Sequence, residues 1–328
     1  MSLKPRAMRD AFLERLYLEM KIDEKIFFIS ADFGSPVLDK IRADFPNRFV
    51  NVGIAEQNLI NVSAGLALEG YKVFAYAIAP FITMRCFEQI RVSLALLSQV
   101  RPMNVNLIGV GAGYSYVVSG PTHQCYEDLT IMRALPSVQV MSPSDHLVAE
   151  SMFNHCIDNI GPKYLRFDAQ VLPVIYENGA PDLKRGFHVH REGKSLCLLA
   201  TGFMLHTALE AAAELAEIGI EIGVIDLYVI SNLDEVALKR VLSSYPGVVS
   251  LEEGFRARGG IDSMLFDFLG RMGLTSKMYN IGVDPGYRFE LGSRAELHEQ
   301  VSIGVNAVIS QIRDFADSIG IHSKSGAS

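Results

Sequence analysis

Four short stretches of the chain set a polar or aromatic residue just beyond an apolar, strand-like run. In RFVNVGIAEQNLINVSAGLALEG (48–70) the run stops at Gly53, and a helix-like run begins with Glu56 among small and apolar neighbours. An acid there suits the macrodipole of a first turn; it equally suits a carboxylate whose chemical partner lies outside the chain. In ISADFGSP (29–36), Asp32 follows a buried strand, at the edge where open α/β sheets bind ligands; taken alone it reads as a cap for the next helix. In APFITMRCFEQIR (79–91), Pro80 marks a helix start, with Phe81 at the mouth of the sheet and Arg85 one turn on. By themselves these read as a core phenylalanine and a partner for Glu88 or another nearby acid. The fourth stretch, GVGAGYSYVVSGPTHQCYEDL (109–129), begins like a dinucleotide loop, but no helix follows directly and Pro121 interrupts it, so a nicotinamide reading carries little weight. Its length is the stronger signal. A loop that long between strand and helix is uncommon unless it serves a site, and it ends in His123, a general acid/base or an anion contact.

The elements that must hold these residues alternate. Strand-like runs at KIFFISA, RFVNV, KVFAYAIA, MNVNLIGV, VQVMSP and KYLRFD are separated by helical runs at roughly 8–20, 55–69, 81–98, 126–134 and 145–158. After a stretch rich in Pro, Gly and charge (169–194), a second set follows: SLCLLAT, a helix over 205–218, IEIGVIDLYVI, 234–243, VVSLEE, 260–271, KMYNIGV, and one long helix near 294–316. Alternation of this kind predicts an α/β protein with mostly parallel sheets, in two doubly wound domains spanning 1–180 and 193–328. The pair Glu252-Glu253 at a strand end reads as a solvated turn, and the polar tail HSKSGAS as disordered.

Composition narrows the function. The 328 residues carry a formal charge of −7 and no basic cluster, which argues against nucleic acid or an anionic membrane as partner. No apolar run reaches the length of a membrane span. The N-terminal run reads as an amphipathic helix with Phe12, Leu13, Leu16 and Leu18 inward rather than as a targeting signal. Four cysteines, Cys86, Cys125, Cys156 and Cys197, are widely spaced without a C-x-x-C pair. That suggests neither a zinc site nor a disulfide framework, and fits a reducing cytoplasm.

The stretches VGIAEQN, SAGLALEG, F-x-x-x-R-x-x-EQIR, GPTHQ with EDL and MRALP, and V-x-SPSD resemble the pyrimidine-binding domain of transketolases and 1-deoxyxylulose-5-phosphate synthases. LATG, VVSLEEGFRARGGIDSML and GYRFELGSRAEL are similar to the C-terminal domain of the same enzymes, in the same order. The resemblance implies thiamine diphosphate as cofactor. Glu56 would hydrogen-bond N1′ of its aminopyrimidine, favouring the imino tautomer that takes the C2 proton, and would be largely desolvated. Phe81 would stack on the pyrimidine, Asp32 and Arg85 would lie near the cofactor, and His123 would meet the substrate or the reacting oxygen.

The resemblance also has gaps. The family's diphosphate-binding domain is marked by GDG and a downstream asparagine, and no GDG occurs here. The expectation is a separate subunit that holds the diphosphate and its Mg2+, with this chain as the β-type half of an α2β2 assembly built on a homodimer core. Where the family has an aspartate before GPTH this chain has Ser119, and Gly111 lies near the place of its sugar-phosphate histidine. Substrate contacts then fall to Ser119, His123 and Arg166, with a modified, branched or nucleotide-linked sugar, or another α-keto donor, compatible. Two-carbon ketol transfer is the leading expectation. A decarboxylating synthase or 2-oxoacid dehydrogenase E1β-like subunit is the second, which GPTHQ disfavours. A non-catalytic scaffold is the third, against which intact Glu56, Phe81 and His123 stand.

Overall fold

The computed structural model describes residues 3–321; the tail read as disordered lies outside them. Two sheets are built in succession. The first has six strands, β1 (Ile26–Ser30), β2 (Phe49–Asn51), β3 (Lys72–Ile78), β4 (Asn104–Val110), β5 (Gln139–Met141) and β6 (Gly161–Phe167), in the order β2-β1-β3-β4-β6-β5. All five pairings are parallel. Parallel strands covered on both faces need near-continuous apolar sequence, and β4 is buried along its whole length. Its two asparagines are accommodated by side-chain bonds: Asn106 Nδ2 donates to Asn104 Oδ1 at 3.0 Å, and the buried Lys163 Nζ donates to the same oxygen at 3.1 Å.

Helix α1 (Met8–Glu19) precedes β1, and α2 (Pro36–Asp44) and α3 (Glu56–Leu68) connect the first strands. Phe12, Leu13 and Leu16 are buried as expected, whereas Leu18 is 52% exposed, because it falls outside the i, i+3/i+4 stripe that the other three define. Helix α2 is absent from the sequence reading although its start is well marked, with Ser35 accepting from Leu38 N–H and Pro36 in the first position. The expected helix over 81–98 is instead a broken one. A π-helical turn at Phe81–Arg85, the short α4 (Phe87–Gln89), a second π segment at Ile90–Leu96 and a 3₁₀ turn follow one another. π-Turns of this kind are rare and concentrate at functional sites.

After α5 (Asp128–Arg133) and α6 (His146–Asp158), the second sheet comprises β7 (Phe187–Arg191), β8 (Leu196–Ala200), β9 (Ile222–Leu227), β10 (Gly247–Phe255) and β11 (Lys277–Val283), ordered β11-β10-β8-β9-β7. Strand β7, unread in the sequence, pairs antiparallel with β9 at the edge. Helices α7 (Met204–Glu217), α8 (Glu235–Leu242) and α9 (Ile261–Met272) complete the alternation. The single helix expected over 294–316 is two, α10 (Arg294–Gln300) and α11 (Val305–Ser318). The break falls where Ser302 takes φ 60°, a left-handed conformation that no helix continues through. Among the described residues no helix is long and apolar enough to cross a membrane.

Candidate active site

Strand order assembles the site. β2, β1, β3 and β4 are neighbours, so the segments leaving their carboxyl ends lie side by side: the turn into Glu56, the turn at Asp32, the π-turn at Phe81 and the loop to His123. Asp32 has φ 53°, sparsely allowed for a residue with a side chain. It is held by a reciprocal pair: its N–H donates to Asn51 Oδ1 at 3.1 Å, and Asn51 Nδ2 donates to its Oδ1 at 3.0 Å. The same Asn51 oxygen accepts from Gly53 N–H at 2.9 Å. Asp32 therefore does not cap α2, which Ser35 does; it braces the turn that delivers Glu56.

Glu56 is the first residue of α3 and only 5% exposed. No side chain caps that end of the helix, so the carboxylate sits where the unpaired N–H groups of the first turn favour a negative charge. Its partner is Arg85, whose Nη1 lies 3.0 Å from Oε1; Glu88 is taken by Arg91 instead. Arg85 also lies over the ring of Phe81, one helical step of four before it, with Cζ 3.8 Å from the ring centre. Beyond Phe81 stands His123, the two rings meeting edge to face at 5.2 Å. An open cavity of about 510 Å3, lined by Ile54, Ala55, Gln57, Asn58 and Arg85, lies in front of Glu56.

The loop carrying His123 is pinned along its length. Gly111 and Ala112 N–H groups donate to Phe167 O, Gly113 and Cys125 exchange backbone bonds, and Gln170 Nε2 donates to Ser115 O. Gly111 has φ 109°, and a Cβ on it would fall 2.1 Å from Tyr116 Cε2; glycine lets that ring fold back over the backbone. Tyr116 in turn meets His123 edge-on at 6.3 Å. Thr122 Oγ1 sits 3.0 Å from His123 Nδ1, leaving Nε2 for a ligand. Neither Tyr116, Thr122 nor Asn51 stands out in the sequence, since each acts by contact with a residue that does. Ser119 is exposed beside them, its carbonyl accepting from Thr122 Oγ1 at 3.4 Å.

Arg166 is not brought to this group. It is 3% exposed, and its Nε donates to Asp128 Oδ2 at 2.7 Å, an oxygen that also accepts from Tyr164. Although burial acts to lower the guanidinium's pKa, Asp128 and Glu253 carry it well above its ordinary value. Nor are Glu252 and Glu253 a solvated turn; both are buried. Glu253 binds Arg294 through both oxygens at 2.8 Å and His298 Nε2 at 2.7 Å. It also accepts from Tyr114 N–H at 3.3 Å, which joins the second domain to the loop of His123. Burial would raise the Glu253 carboxyl, but Arg294, His298 and Arg166 hold it far below the usual carboxylate range.

The chemistry these groups allow is specific at one end. A buried carboxylate beside an aromatic face suits a flat heteroaromatic ring with a nitrogen edge, so the residues fit an aminopyrimidine. Among the described residues no three His, Cys, Asp or Glu stand together as a metal-ligand set. Fold and site thus define a two-domain α/β chain with a buried carboxylate, an aromatic ring and a histidine gathered at the carboxyl edge of its first sheet. Residues 4–174 match the family model for the transketolase pyrimidine-binding domain, and residues 186–308 that for the transketolase C-terminal domain. An apulose-4-phosphate transketolase subunit of Actinobacillus succinogenes is 30% identical over 81% of this chain and 84% of its own length. A putative transketolase C-terminal section from Methanocaldococcus jannaschii is 31% identical over 85% and 87% respectively. A split-gene transketolase solved as an inactive β4 tetramer superposes with TM-score 0.81 at 30% identity, covering 95% of this chain and 98% of that one. The chain belongs to the transketolase family and carries its pyrimidine-binding and C-terminal domains in that order.

Proposed function

We propose that this chain is the pyrimidine-binding, β-type subunit of a split, thiamine-diphosphate-dependent transketolase that moves a two-carbon ketol unit between sugar-type substrates. The convergence of buried Glu56, the Phe81 ring and His123 at one sheet edge carries the reading, and the relatives named as a transketolase subunit and as a transketolase C-terminal section support it. Thiamine diphosphate, when bound, supplies the electron sink that lets a ketol carbon–carbon bond break and re-form. Glu56 holds a proton at the ring nitrogen from a desolvated position. Phe81 stacks on the ring. His123, oriented by Thr122, moves a proton at the substrate oxygen through Nε2, and Ser119 offers a neutral hydroxyl nearby. Asp32 and Arg166 position others: Asp32 through Asn51, Arg166 through Asp128.

Mg2+ and the diphosphate belong, in this reading, to a partner polypeptide, in an α2β2 complex on a homodimer core in the cytoplasm. The test is recovery of the chain from native lysate followed by native mass spectrometry, and reconstitution with whatever GDG-containing polypeptide accompanies it. The expected result is ketol transfer by the pair, with Glu56→Gln slowing turnover about 100-fold or more. A pair that keeps its activity in Glu56→Gln while still requiring the cofactor refutes the assignment.

A further inference from the structure

Arg85 satisfies both halves of the ring seat at once. Its Nη1 donates to Glu56 Oε1 at 3.0 Å, and its Cζ lies over the Phe81 ring, 3.8 Å from the ring centre. A flat, nitrogen-edged group that donates to a buried carboxylate and stacks on an aromatic face offers the polarity and shape that an aminopyrimidine would offer in the same place. We infer that Arg85 is an internal occupant of the seat: in the free chain its guanidinium fills the space between Glu56 and Phe81, and a ring enters only when it swings out. The inference rests on the function proposed above.

Three features make Arg85 a displaceable occupant. Its side chain is 47% exposed, whereas the carboxylate it holds is 5% exposed. The cavity of about 510 Å3 beside it, walled by Ile54, Gln57 and Asn58, gives the guanidinium somewhere to go. Its anchor is the π-turn Phe81–Arg85, with Gln57 Nε2 donating to the Arg85 carbonyl at 3.3 Å, so the backbone stays fixed while the side chain moves. A half-exposed ion pair and one cation–π contact are weak interactions, so together they lower ring affinity by roughly five- to thirtyfold. Removing Arg85 leaves Glu56 buried without its cation, which increases what the carboxylate gains from a ring nitrogen.

Thiamine, which lacks the diphosphate, is the probe that reads the ring seat alone. Full-length wild-type chain, Arg85→Ala and Arg85→Ala/Glu56→Gln are titrated with thiamine by saturation-transfer NMR and calorimetry, after thermal melts establish that each is folded. Arg85→Met, which keeps the stem and removes the charge, carries the test if Arg85→Ala does not fold. The expected result is thiamine binding five- to thirtyfold tighter in the single variant, with the gain lost in the double variant. Equal, weaker or absent binding in the single variant overturns the inference, since an Arg85 that helps to hold the ring gives that outcome. The function proposed above is judged separately, by the partner and by turnover of the reconstituted pair.

Discussion

Replacing Arg294 by alanine should be among the most damaging single changes in the second domain, and the effect should depend on pH in a defined direction. The side chain is only 5% exposed and makes four short bonds: Nε and Nη2 to Glu253 Oε1 at 3.0 and 2.8 Å, Nη2 to Oε2 at 2.8 Å, and Nη1 to Asp168 Oδ2 at 2.6 Å. Asp168 follows β6 of the first domain and Glu253 lies in β10 of the second, so this one side chain bridges two buried acids across the domain junction. Truncating one partner of a buried ion pair costs about 3–5 kcal/mol, because the remaining charge is left without compensation. At roughly 2–4 °C per kcal/mol the melting temperature falls by about 10 °C.

The sign with pH follows from the carboxyls. In the native chain Glu253 is depressed, so its stabilisation is present throughout the range above the ordinary carboxylate pKa and is lost only in strong acid. Asp168 is already pushed up by burial despite Arg294. Without the arginine Asp168 is raised further above its unfolded value, whereas Glu253 loses its largest counter-charge and keeps His298 and Arg166. Asp168 then destabilises the fold at neutral pH and is relieved as the pH falls and it takes a proton, while Glu253 contributes less stabilisation than before. Urea unfolding of wild type and Arg294→Ala at pH 8, 6.5 and 5 measures this. The deficit is expected to shrink by about 1 kcal/mol or more toward pH 5. A deficit below about 1 kcal/mol at pH 8, or one that does not change with pH, refutes the account of Arg294 as counter-charge for two buried acids.

Gly111→Ala forces a side chain into the place of the Tyr116 ring at a residue with φ 109°; it should cost about 1–3 kcal/mol in urea unfolding and shift the NMR signals of His123, which Tyr116 touches. The four cysteines are free and buried, with the thiols of Cys86 and Cys156 pushed up to about 12 by burial. Ellman's reagent at pH 8 should find none of them in the native chain and all four after unfolding, so rapid labelling of any one would contradict the packing around it.

What the sequence made legible is what depends on neighbours along the chain. Continuous apolar runs such as MNVNLIGV read as buried parallel strands because burial on both faces removes alternation, and β4 has that character. FHVHR escaped because its two histidines and terminal arginine belong to an antiparallel edge strand, where one face stays polar. The break in the last helix hides in Ser302 and Gly304, residues that a periodicity reading passes over. Glu56 and His123 stood out by type and position, Phe81 only through the family resemblance, and the fold brings the three to one sheet edge. Their partners were not: Arg85 looked to Glu88, three residues away, and was taken by Glu56, which stands 29 positions back in the sequence.

Glu252-Glu253 misled for the same reason at longer range. Two adjacent acids at a strand end look solvated until Arg294, 41 positions on, and the Tyr114 N–H, 139 positions back, are brought to Glu253 by the packing of two domains, and the Asp262 N–H to Glu252. This changes what the second domain is for. Among the described residues it forms no metal-ligand cluster, yet Glu253 holds the backbone at Tyr114, and the loop from there runs through Tyr116 to His123. The loop therefore has two anchors. One is the first sheet, through the Gly111 and Ala112 N–H groups on Phe167 O; the other is the second sheet, through Glu253. A shift of one domain against the other moves the second anchor relative to the first, and with it the ring of His123 against Phe81. The domain junction thus anchors one end of the loop that carries His123, through the Tyr114 N–H on Glu253.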